Sequence, residues 1–487
     1  MEQQRIRRAL ISTADKTDIA ELADQLSACK ITLIATGGTA TLLSQHKIPH
    51  LSVSDLTHFP EILDGRVKTL HPAIHGGILS RRSVDDEAIL KQQGIEQIDL
   101  VIVNLYPFAQ THQIEQIDVG GPSMLRAAAK NFEHVTALID PQDYPPVLAE
   151  IKQYGNTTLE TRRKLAIKVF QHLAAYDQMI ADSLSKKVSL RYGENPHQNA
   201  SLIVTGENGL ANHEQLNGKE LSYNNYVDAD AAWNCVNAFA ETACVIVKHA
   251  TPCGAAVAQN NLDAYQKAFA CDPQSAFGGI IAFNTILDAK TAQQIISNQF
   301  VEVILAPDFE AAALDILKQK KNCRVLKLKY KTPSNKKRSI SGGELIQTAD
   351  TKIITASDLT VVSAKKPSTA QIQDLLFAWN IVRFVKSNAI VYAKDGATLG
   401  IGAGQTSRIF AAEIAALKAQ HATLELKNSV MASDAFFPFT DCVELAAKLG
   451  VTAIIQPGGS KADPEVIAAA DQFDLAMVFT HTRCFLH

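Results

Sequence analysis

The chain has 487 residues, which is enough for several domains with well-filled cores. Hydrophobic residues make up 46% and charged residues 20%, and the formal net charge of −3 gives no general electrostatic reason to bind nucleic acid or an acidic membrane. No stretch approaches the roughly 20 apolar residues that span a bilayer, and the first residues lack the apolar core of a signal peptide. We therefore expect a cytoplasmic protein without nucleic-acid or membrane partners.

Residues 1–140 alternate apolar strand candidates with helical patterns. The strand candidates are ALIS, ITLIAT, LSVS, DLVIVNLY and VTALID, and TDIAELADQLSACK between the first two has helical spacing. This alternation predicts a parallel sheet covered on both faces. A long helical pattern follows and ends near Lys187, before the turn-rich LRYGENPHQ, so we place one domain at 1–187 and a second at 191–487.

Polar residues follow the strand candidates of the first domain, where ligands of parallel α/β sheets bind. The TGGT sequence opens a helix, and its glycines and free N–H groups suit a phosphate, although such a turn is often only a tight loop. The chain has no G-x-G-x-x-G or Walker lysine motif, which argues against a dinucleotide or ATP. The residues that we assign to the phosphate pocket are Ser12, Lys16, Thr36, Gly37, Gly38, Thr39, Arg66 and Lys68.

Neither histidine nor cysteine spacing indicates a metal site. His71 and His75 lie in DGRVKTLHPAIHGG, which we predict not to be a helix, and no third ligand accompanies them. Pro72 makes a helical i, i+4 pair of these histidines improbable. The 8 cysteines are scattered without a Cys-x-x-Cys motif, so we expect reduced, mostly buried side chains.

The second half of the chain contains an internal repeat of sequence pattern. DADAAWNCVNAF precedes the strand candidate CVIVK and then GAAVA, while DLLFAWNIVRFVKSN precedes AIVYAK and then GIGAG. Trp233 and Trp379 hold matching places, so we predict two related α/β subdomains. Between them, residues 320–367 are basic and rich in turn formers. We interpret that segment as a solvated connection with a hairpin, in preference to a positive wall beside an anionic ligand.

The stretch VIVKHATPCGAAVA is predicted to deliver Lys248 and His249 from an apolar strand that then breaks on Pro252 and Gly254. Zinc deaminases use His-x-Glu and Pro-Cys-x-x-Cys, and this chain lacks both the glutamate and the second cysteine. A lone histidine is usually structural, but a lysine charge is expensive to bury at the end of an apolar strand. The pair is therefore predicted to act in acid–base chemistry or to be structural, and the lysine is the residue that is harder to explain structurally. Because neighbours on a strand point to opposite faces, both reach one site only where the strand has ended.

Long motifs in order along the chain resemble the bifunctional purine-biosynthesis family that joins AICAR transformylase to IMP cyclohydrolase. They include ATGGTA, DGRVKTLHP, NLYPF, IDVGGPSMLRAAAKN, RYGENPHQ, KHATPCGAA, GIGAGQTSRI and SDAFFPF. The resemblance implies formyl transfer from 10-formyltetrahydrofolate, as co-substrate, to AICAR, followed by dehydrative closure of FAICAR to IMP. It also implies an α/β protein with a methylglyoxal-synthase-like parallel-sheet domain, two cytidine-deaminase-like subdomains, no metal, and a homodimer that shares the transfer site.

By the same resemblance, His249 takes the proton from the 5-amino group of AICAR, and Lys248 stabilises the oxyanion or relays the proton. Asn388 is implied to hold AICAR and the formyl group near this pair. The other residues implied for the nucleotide and folate pocket are Arg191, Tyr192, Asn225, Phe277, Gly278, Glu302, Arg408, Phe436, Pro438, Arg483 and His487.

For ring closure the resemblance implies Lys68, Tyr106, Asp118 and Lys130. We expect the first two to steady the formyl oxygen and the last two to manage the amide proton, in a site that gains rate by holding the reacting groups together. Two alternatives remain open: a first domain that only senses phosphate, and a binding protein without activity. The remaining predicted residues of this pocket are Thr69 and Asn104.

Overall fold

The computed structural model describes residues 5–204, 209–329 and 335–487. The chain divides into two compact units, Met1–Lys186 and Lys187–His487. Both are α/β, which confirms the predicted fold class. Part of the basic segment, residues 330–334, lies outside the described residues.

The first unit is built on a parallel sheet with the strand order β3-β2-β1-β4-β5. Ser52 ends the third strand earlier than predicted, because its side chain accepts the N–H of Asp55 and caps a helix. The strands are β1 Arg8–Thr13, β2 Thr32–Ala35, β3 Leu51–Ser52, β4 Leu100–Asn104 and β5 Thr136–Leu138.

Helices cover both faces of this sheet, as the alternating pattern predicts. Leu10 and Ile11 are neighbours in β1 and point to opposite faces, where each joins a separate buried cluster. The helices are α1 Ile19–Ala28, α2 Gly37–Gln45, α3 Val53–Thr57, α4 Pro72–Leu79, α5 Val84–Gln92, α6 Phe108–Thr111, α7 Gly120–Lys130, α8 Tyr144–Tyr154 and α9 Leu159–Leu184, with 3₁₀ turns at Ile114–Gln116 and Pro141–Asp143.

The second unit contains a large mixed sheet and two short ladders. One ladder joins β6 and β7, and the other is an exposed hairpin of β14 and β15 in the described part of the basic segment, as predicted. The strands are β6 Lys186–Leu190, β7 Ala200–Val204, β8 Glu214–Asn217, β9 Ala243–Lys248, β10 Thr251–Val257, β11 Gly279–Phe283, β12 Val301–Ala306, β13 Arg324–Lys327, β14 Asn335–Ile340, β15 Gly343–Thr348, β16 Thr360–Val361, β17 Ile390–Lys394, β18 Ala397–Gly402, β19 Val430–Ser433, β20 Ala453–Gln456 and β21 Ala476–Phe479.

Helices pack on both faces of the large sheet. Those that carry Trp233 and Trp379 share one buried cluster, and the other helices cover the opposite face. The helices are α10 Tyr223–Val236, α11 Asn261–Cys271, α12 Pro273–Ala276, α13 Ala289–Asn298, α14 Ala311–Lys318, α15 Thr369–Val382, α16 Arg408–His421, α17 Asp441–Lys448 and α18 Asp463–Gln472, with 3₁₀ turns at Leu210–Asn212 and Ala356–Asp358.

The strand order confirms the internal repeat. From the junction of β10 and β18, it runs β10-β9-β11-β12-β13-β8 in one direction and β18-β17-β19-β20-β21-β16 in the other. Trp233 and Trp379 are 146 residues apart (379 − 233). The capping serines of their helices, Ser222 and Ser368, have the same separation of 146 (368 − 222). The two halves are therefore related copies joined through β10 and β18.

Candidate active sites

Two lysine ammonium groups lie at the start of α2 in the first unit. The Nζ of Lys16 donates to the Oγ1 of Thr39 at 2.9 Å. A Cβ added to Gly37 would lie 3.7 Å from the Nζ of Lys68, and one on Gly38 would lie 3.9 Å from the Nζ of Lys16. Burial lowers the pKa of Lys16, and the charge of Lys68 lowers it further. Two positive charges that face the free N–H groups of a helix start can bind an anion such as phosphate.

Other predicted residues of this pocket support its loops. The Oγ1 of Thr36 donates to the Oγ of Ser12 at 2.8 Å, which ties the end of β2 to the end of β1. The Oδ1 of Asn104 accepts the backbone N–H groups of Ala14 at 2.6 Å and Asp15 at 2.9 Å. Asn104 therefore holds the loop after β1, and its carbonyl oxygen is already engaged there.

Asp118 lies at the start of α7, where its Oδ1 accepts the backbone N–H of Gly121 at 2.8 Å. Its own backbone N–H donates to the Oη of Tyr176 at 2.8 Å. Burial raises the pKa of Asp118, although the N–H of Gly121, the charge of Lys68 and the N–H of Tyr106 act in the opposite direction. Lys68 is thus within electrostatic reach of both Asp118 and the start of α2. A carboxylate with a raised pKa accepts a proton more readily near neutral pH.

Tyr106 and Lys130 are placed differently with respect to this carboxylate. Tyr106 follows β4 with 42% of its surface exposed, and its backbone faces Asp118. Lys130 is the exposed last residue of α7, which begins at Gly120. Ten steps of 1.5 Å place it about 15 Å further along the helix axis. The structure does not bring Lys130 to Asp118 within one chain.

The motif around His71 differs from the predicted loop, because helix α4 begins at Pro72. Proline suits the first position of a helix, and the Nδ1 of His71 accepts the N–H of Ala73 at 3.2 Å as the cap. Among residues 5–204, 209–329 and 335–487 no cluster of three or more potential metal ligands occurs. Upstream, Arg66 forms an exposed ion pair with Glu115 at 3.0 Å.

Thr69 supports the start of α7. Its side chain is buried, and a Cβ added to Gly120 would lie only 2.6 Å from its Oγ1. The hydroxyl of Thr69 therefore packs against the backbone that begins this helix, next to Asp118. A side chain at Gly120 would displace that contact.

Lys248 and His249 lie at the tight turn between β9 and β10. β9 ends at Lys248, and His249 and Ala250 have φ angles of 52° and 55°, which suit a two-residue hairpin turn. The prediction that the strand breaks on Pro252 and Gly254 is wrong, because both lie inside β10 with a bulge between them. A bulge accommodates a proline that has no N–H to donate. The chain has left the strand at His249, so strand alternation no longer separates the two side chains.

The side chain of Lys248 is half-buried against two predicted pocket residues. Its Nζ donates to the carbonyl oxygen of Phe277 at 2.8 Å. Gly278 has a φ of 68°, and a Cβ there would lie 3.2 Å from the same Nζ. The ring of Phe277 is 60% exposed, and the side chain of His249 is exposed as well. The structure therefore brings the two residues of the Phe277–Gly278 pair to the Lys248 ammonium at an accessible surface.

Asp228 contacts this turn and was missed by sequence reasoning. Its Oδ1 accepts the backbone N–H of Ala250 at 2.6 Å. Burial raises the pKa of Asp228, while the N–H of Ala250 and the charges of His249 and Lys248 act against it. The available signal was its position five residues before Trp233 (233 − 228), a spacing that Asp374 repeats before its own tryptophan.

Asn388 belongs to a buried polar network. The Nη2 of Arg408 donates to its Oδ1 at 2.8 Å and to the Oδ1 of Asp434 at 2.9 Å. The Nδ2 of Asn388 donates to the carbonyl oxygen of Gln405 at 2.9 Å. The Arg408 and Asp434 side chains are only 9% and 0% exposed. The guanidinium of Arg408 thus orients Asn388, and the nucleotide contact that we predicted for Arg408 stays a prediction.

Lys248 and Asn388 lie at the same edge of the large sheet, which we call the Lys248 edge. The pairings of β9, β10, β18 and β17 place the end of β9 and the start of β17 at this edge. Three strand spacings separate them, a lateral distance of about 14 Å. A single chain therefore does not bring Asn388 into contact with the Lys248–His249 pair.

The chain end packs beside Asn388. The N–H of Ser387 donates to the carbonyl oxygen of Leu486 at 2.9 Å. The guanidinium of Arg483 lies 4.8 Å from the ring centre of Phe485, and the rings of Phe485 and His487 are 5.7 Å apart. The predicted residues Arg483 and His487 are thus at the Lys248 edge. Phe436 and Pro438 follow β19 at that edge as well.

Arg191 and Tyr192 contact each other, with the Nη2 of Arg191 donating to the Oη of Tyr192 at 3.0 Å. Their loop is linked to the start of α10, because the Nδ2 of Asn224 donates to the carbonyl oxygen of Glu194 at 3.2 Å. The neighbouring Asn225 has a structural contact, since its Oδ1 accepts the backbone N–H of Ser222, the residue that caps α10.

Glu302 is the second residue of β12, which begins at the Lys248 edge. Its Oε2 lies 2.7 Å from the Nη1 of Arg324, whose side chain is nearly buried. This ion pair is fully formed within the chain. Any contact of Glu302 with a ligand must therefore share its carboxylate with Arg324.

Comparison with known proteins identifies the family. The family model described as AICARFT/IMPCHase bienzyme matches residues 128–418, which is 291 positions (418 − 128 + 1) of the 487. The chain belongs to the AICARFT/IMPCHase bienzyme family. A model described as MGS-like domain matches residues 18–131 of the bienzyme. A solved structure titled "Crystal structure of ForH" is similar at 40% identity, over 36% of this chain and 98% of that one, with a TM-score of 0.34.

The bienzyme assignment gives two activities, AICAR formyl transfer and IMP cyclohydrolysis, in purine biosynthesis. The substrates of the family are small molecules, AICAR and a formyl folate. The open alternatives of a purely phosphate-sensing first domain and of an inactive binding protein are therefore disfavoured. Within the part of the bienzyme that the structure describes, no helix is long and apolar enough to cross a membrane.

Proposed function

We propose that formyl transfer takes place at the turn that carries Lys248 and His249, with 10-formyltetrahydrofolate as the donor. The neutral imidazole of His249 takes a proton from the 5-amino group of AICAR as its nitrogen attacks the formyl carbon. The ammonium of Lys248 stabilises the tetrahedral oxyanion. The bond from the formyl carbon to N10 then breaks, N10 gains a proton, and FAICAR and tetrahydrofolate leave.

One observation carries this proposal: the turn presents both groups together at an accessible surface. Lys248 ends β9, and the exposed His249 follows in a left-handed conformation. The ammonium rests 2.8 Å from the carbonyl oxygen of Phe277. Because an ammonium has three N–H groups, this contact leaves donors for an oxyanion.

We propose that FAICAR closes its ring in the first unit. The start of α2 and Lys16 would hold the phosphate, and Lys68 and Tyr106 would steady the formyl oxygen. The carboxylate of Asp118 would take a proton from the carboxamide nitrogen as that nitrogen attacks the formyl carbon. The C–O bond then breaks and the formyl oxygen leaves as water, with one proton from the carboxamide nitrogen and one from the formamide nitrogen, which gives IMP. We assign no step to Lys130, because it lies about 15 Å along α7 from the start of that helix.

We propose further that the two activities divide between residues 1–187 and 191–487, and that a cytoplasmic homodimer completes the transfer site. The support for the dimer is the separation of Lys248 from Asn388 by three strands. A second copy would allow Asn388 of one chain to serve the His249 of the other.

Mixed dimers of H249A and N388A test the shared site. Each variant alone should transfer formyl groups at least about 100-fold more slowly than the wild type. Equal amounts of the two variants are unfolded together and refolded, so that their chains combine at random. This should restore about a quarter of the wild-type rate, because half of the dimers then carry one intact site. The folding control is urea unfolding of each variant, followed by circular dichroism, because both substitutions lie in the second unit. If verified mixed dimers regain no transfer, both residues act within one chain and the shared site is wrong.

A further inference from the structure

In each half of the second unit, a helix aspartate holds the two-residue turn that follows a strand, β9 in the first half and β17 in the second. In the first half, the Oδ1 of Asp228 accepts the N–H of Ala250 at 2.6 Å. In the second half, the Oδ1 of Asp374 accepts the N–H of Gly396 at 2.9 Å, and its Oδ2 accepts the N–H of Asp395 at 3.0 Å. Each carboxylate reaches up from a helix to the backbone of a two-residue turn.

These positions correspond through the internal repeat. Asp228 and Asp374 differ by 146 (374 − 228), and His249 and Asp395 differ by the same number (395 − 249). His249 and Asp395 both have a φ of 52°. The second copy carries aspartate where the first carries histidine, so it keeps the helix carboxylate without the base.

The first turn needs this support more than the second. Ala250 and Gly396 have φ angles of 55° and 67°. Glycine adopts a positive φ freely, whereas alanine in the left-handed region is strained. The N–H of His249 also faces the Asp228 carboxylate. Hydrogen bonds to a charged acceptor are strong enough to offset that backbone strain.

We infer that Asp228 is a positioning residue for formyl transfer, which fixes the His249–Ala250 turn and so sets where the imidazole meets the substrate amine. This inference rests on the proposed role of His249. A displacement of the base by about 1 Å is enough to slow such a reaction roughly 100-fold. Asp228 would act on the rate of the chemical step and leave the binding of AICAR nearly unchanged.

Four variants of the full chain test the inference, with AICAR and 10-formyltetrahydrofolate as substrates. We expect D228A to lower kcat for formyl transfer at least about 30-fold, with KM for AICAR within about threefold of wild type. D228N keeps an oxygen acceptor and should stay within about fivefold. D374A loses two equivalent hydrogen bonds away from the base and should stay within about twofold. The variant D228A/A250G should regain at least about fivefold over D228A, because glycine adopts the turn without strain.

Each other outcome overturns the inference. A D228A enzyme as fast as wild type shows that the turn needs no support. An equal loss of kcat in D228A and D374A shows a general effect on stability. A D228N enzyme as slow as D228A, or no recovery with A250G, shows that charge and not position matters. If H249A still transfers formyl groups, the proposed function itself has failed. Urea unfolding of the same preparations, followed by circular dichroism, shows that the second unit of each variant is folded.

Discussion

The guanidinium of Arg408 donates to the fully buried carboxylate of Asp434 at 2.9 Å, and the same Nη2 donates to Asn388 at 2.8 Å. The position of Asn388 at the Lys248 edge thus depends on a buried ion pair. Such a pair is sensitive to the loss of one partner, because the other charge then remains buried without compensation.

R408A should therefore destabilise the second unit by about 3–5 kcal/mol and slow formyl transfer as Asn388 loses its partner. The measurement is the free energy of unfolding in urea together with the transfer rate. K365A, which breaks the surface pair of Lys365 and Asp474, is the control and should cost at most about 1 kcal/mol. Equal effects of the two changes would contradict the role given to the buried pair.

The repeat makes a second prediction about packing. A Cβ on Gly254 would lie 2.0 Å from the carbonyl oxygen of Ala268, and one on Gly400 would lie 2.1 Å from that of Ala415. G254A and G400A should each lower the free energy of unfolding by at least about 2 kcal/mol, since the helix must move away. G343A has no close neighbour and should change it by less than about 0.5 kcal/mol. If both G254A and G400A were as stable as wild type, the helices that carry Ala268 and Ala415 would not pack so closely on these glycines.

Part of this arrangement could be predicted from the sequence. The strand candidates predicted the sheet of the first unit, and the TGGT turn predicted the start of α2, because strand alternation and glycine turns are local signals. The repeat was visible through Trp233 and Trp379. The support of the turn by Asp228 was not, since its partner Ala250 lies 22 residues away (250 − 228) and only packing brings them together.

One expectation failed for an identifiable reason. Pro252 was predicted to break the strand, but a bulge lets β10 continue past it. The shared role of Asp118 and Lys130 stays a prediction from the resemblance, and the length of α7 separates the two residues within one chain. The pairing of Arg408 with Asp434 was not visible in the sequence, because Asp434 follows a later strand and only the fold brings it to Arg408. The nucleotide role of Arg408 stays a prediction.

The pH dependence of stability tests the burial of Asp118. Burial raises the pKa of Asp118, so the folded chain binds this proton more readily than the unfolded chain. The stability that the group contributes is present at low pH and is lost as the pH rises through its folded pKa. D118N cannot ionise. The free energy of unfolding of D118N minus that of wild type should therefore increase as the pH rises from about 4 to about 7.5.

D86N is a control of opposite sign for this measurement. A hydrogen bond from Arg81 lowers the pKa of Asp86, so the stability from this carboxylate is present at neutral pH and is lost as the pH falls. Relative to wild type, D86N should lose stability as the pH rises from about 2 to about 5, the range in which Asp86 ionises in the unfolded chain. If both variants changed in the same direction, the assigned environment of Asp118 would be wrong.

The anion site at the start of α2 predicts a binding defect. K16A should raise KM for FAICAR at least about tenfold with a smaller change in kcat, because a charged hydrogen bond to phosphate is worth more than 1.4 kcal/mol. Added salt screens the charge of Lys16 in the wild type, so the difference in KM between K16A and wild type should become smaller as the salt concentration rises. Initial rates of closure measure both constants. K164A, which removes an exposed lysine paired with Glu160, should match wild type. An unchanged KM in K16A would place the phosphate elsewhere.

The central claim is that His249, in the turn after β9, is the base of formyl transfer and has no part in ring closure. The most direct measurement is the rate of each reaction in H249A, with AICAR and formyl folate in one assay and FAICAR in the other. The account predicts transfer at least about 100-fold slower than wild type, and closure within about twofold of it. Transfer at the wild-type rate, or loss of both activities in a folded preparation, would contradict it.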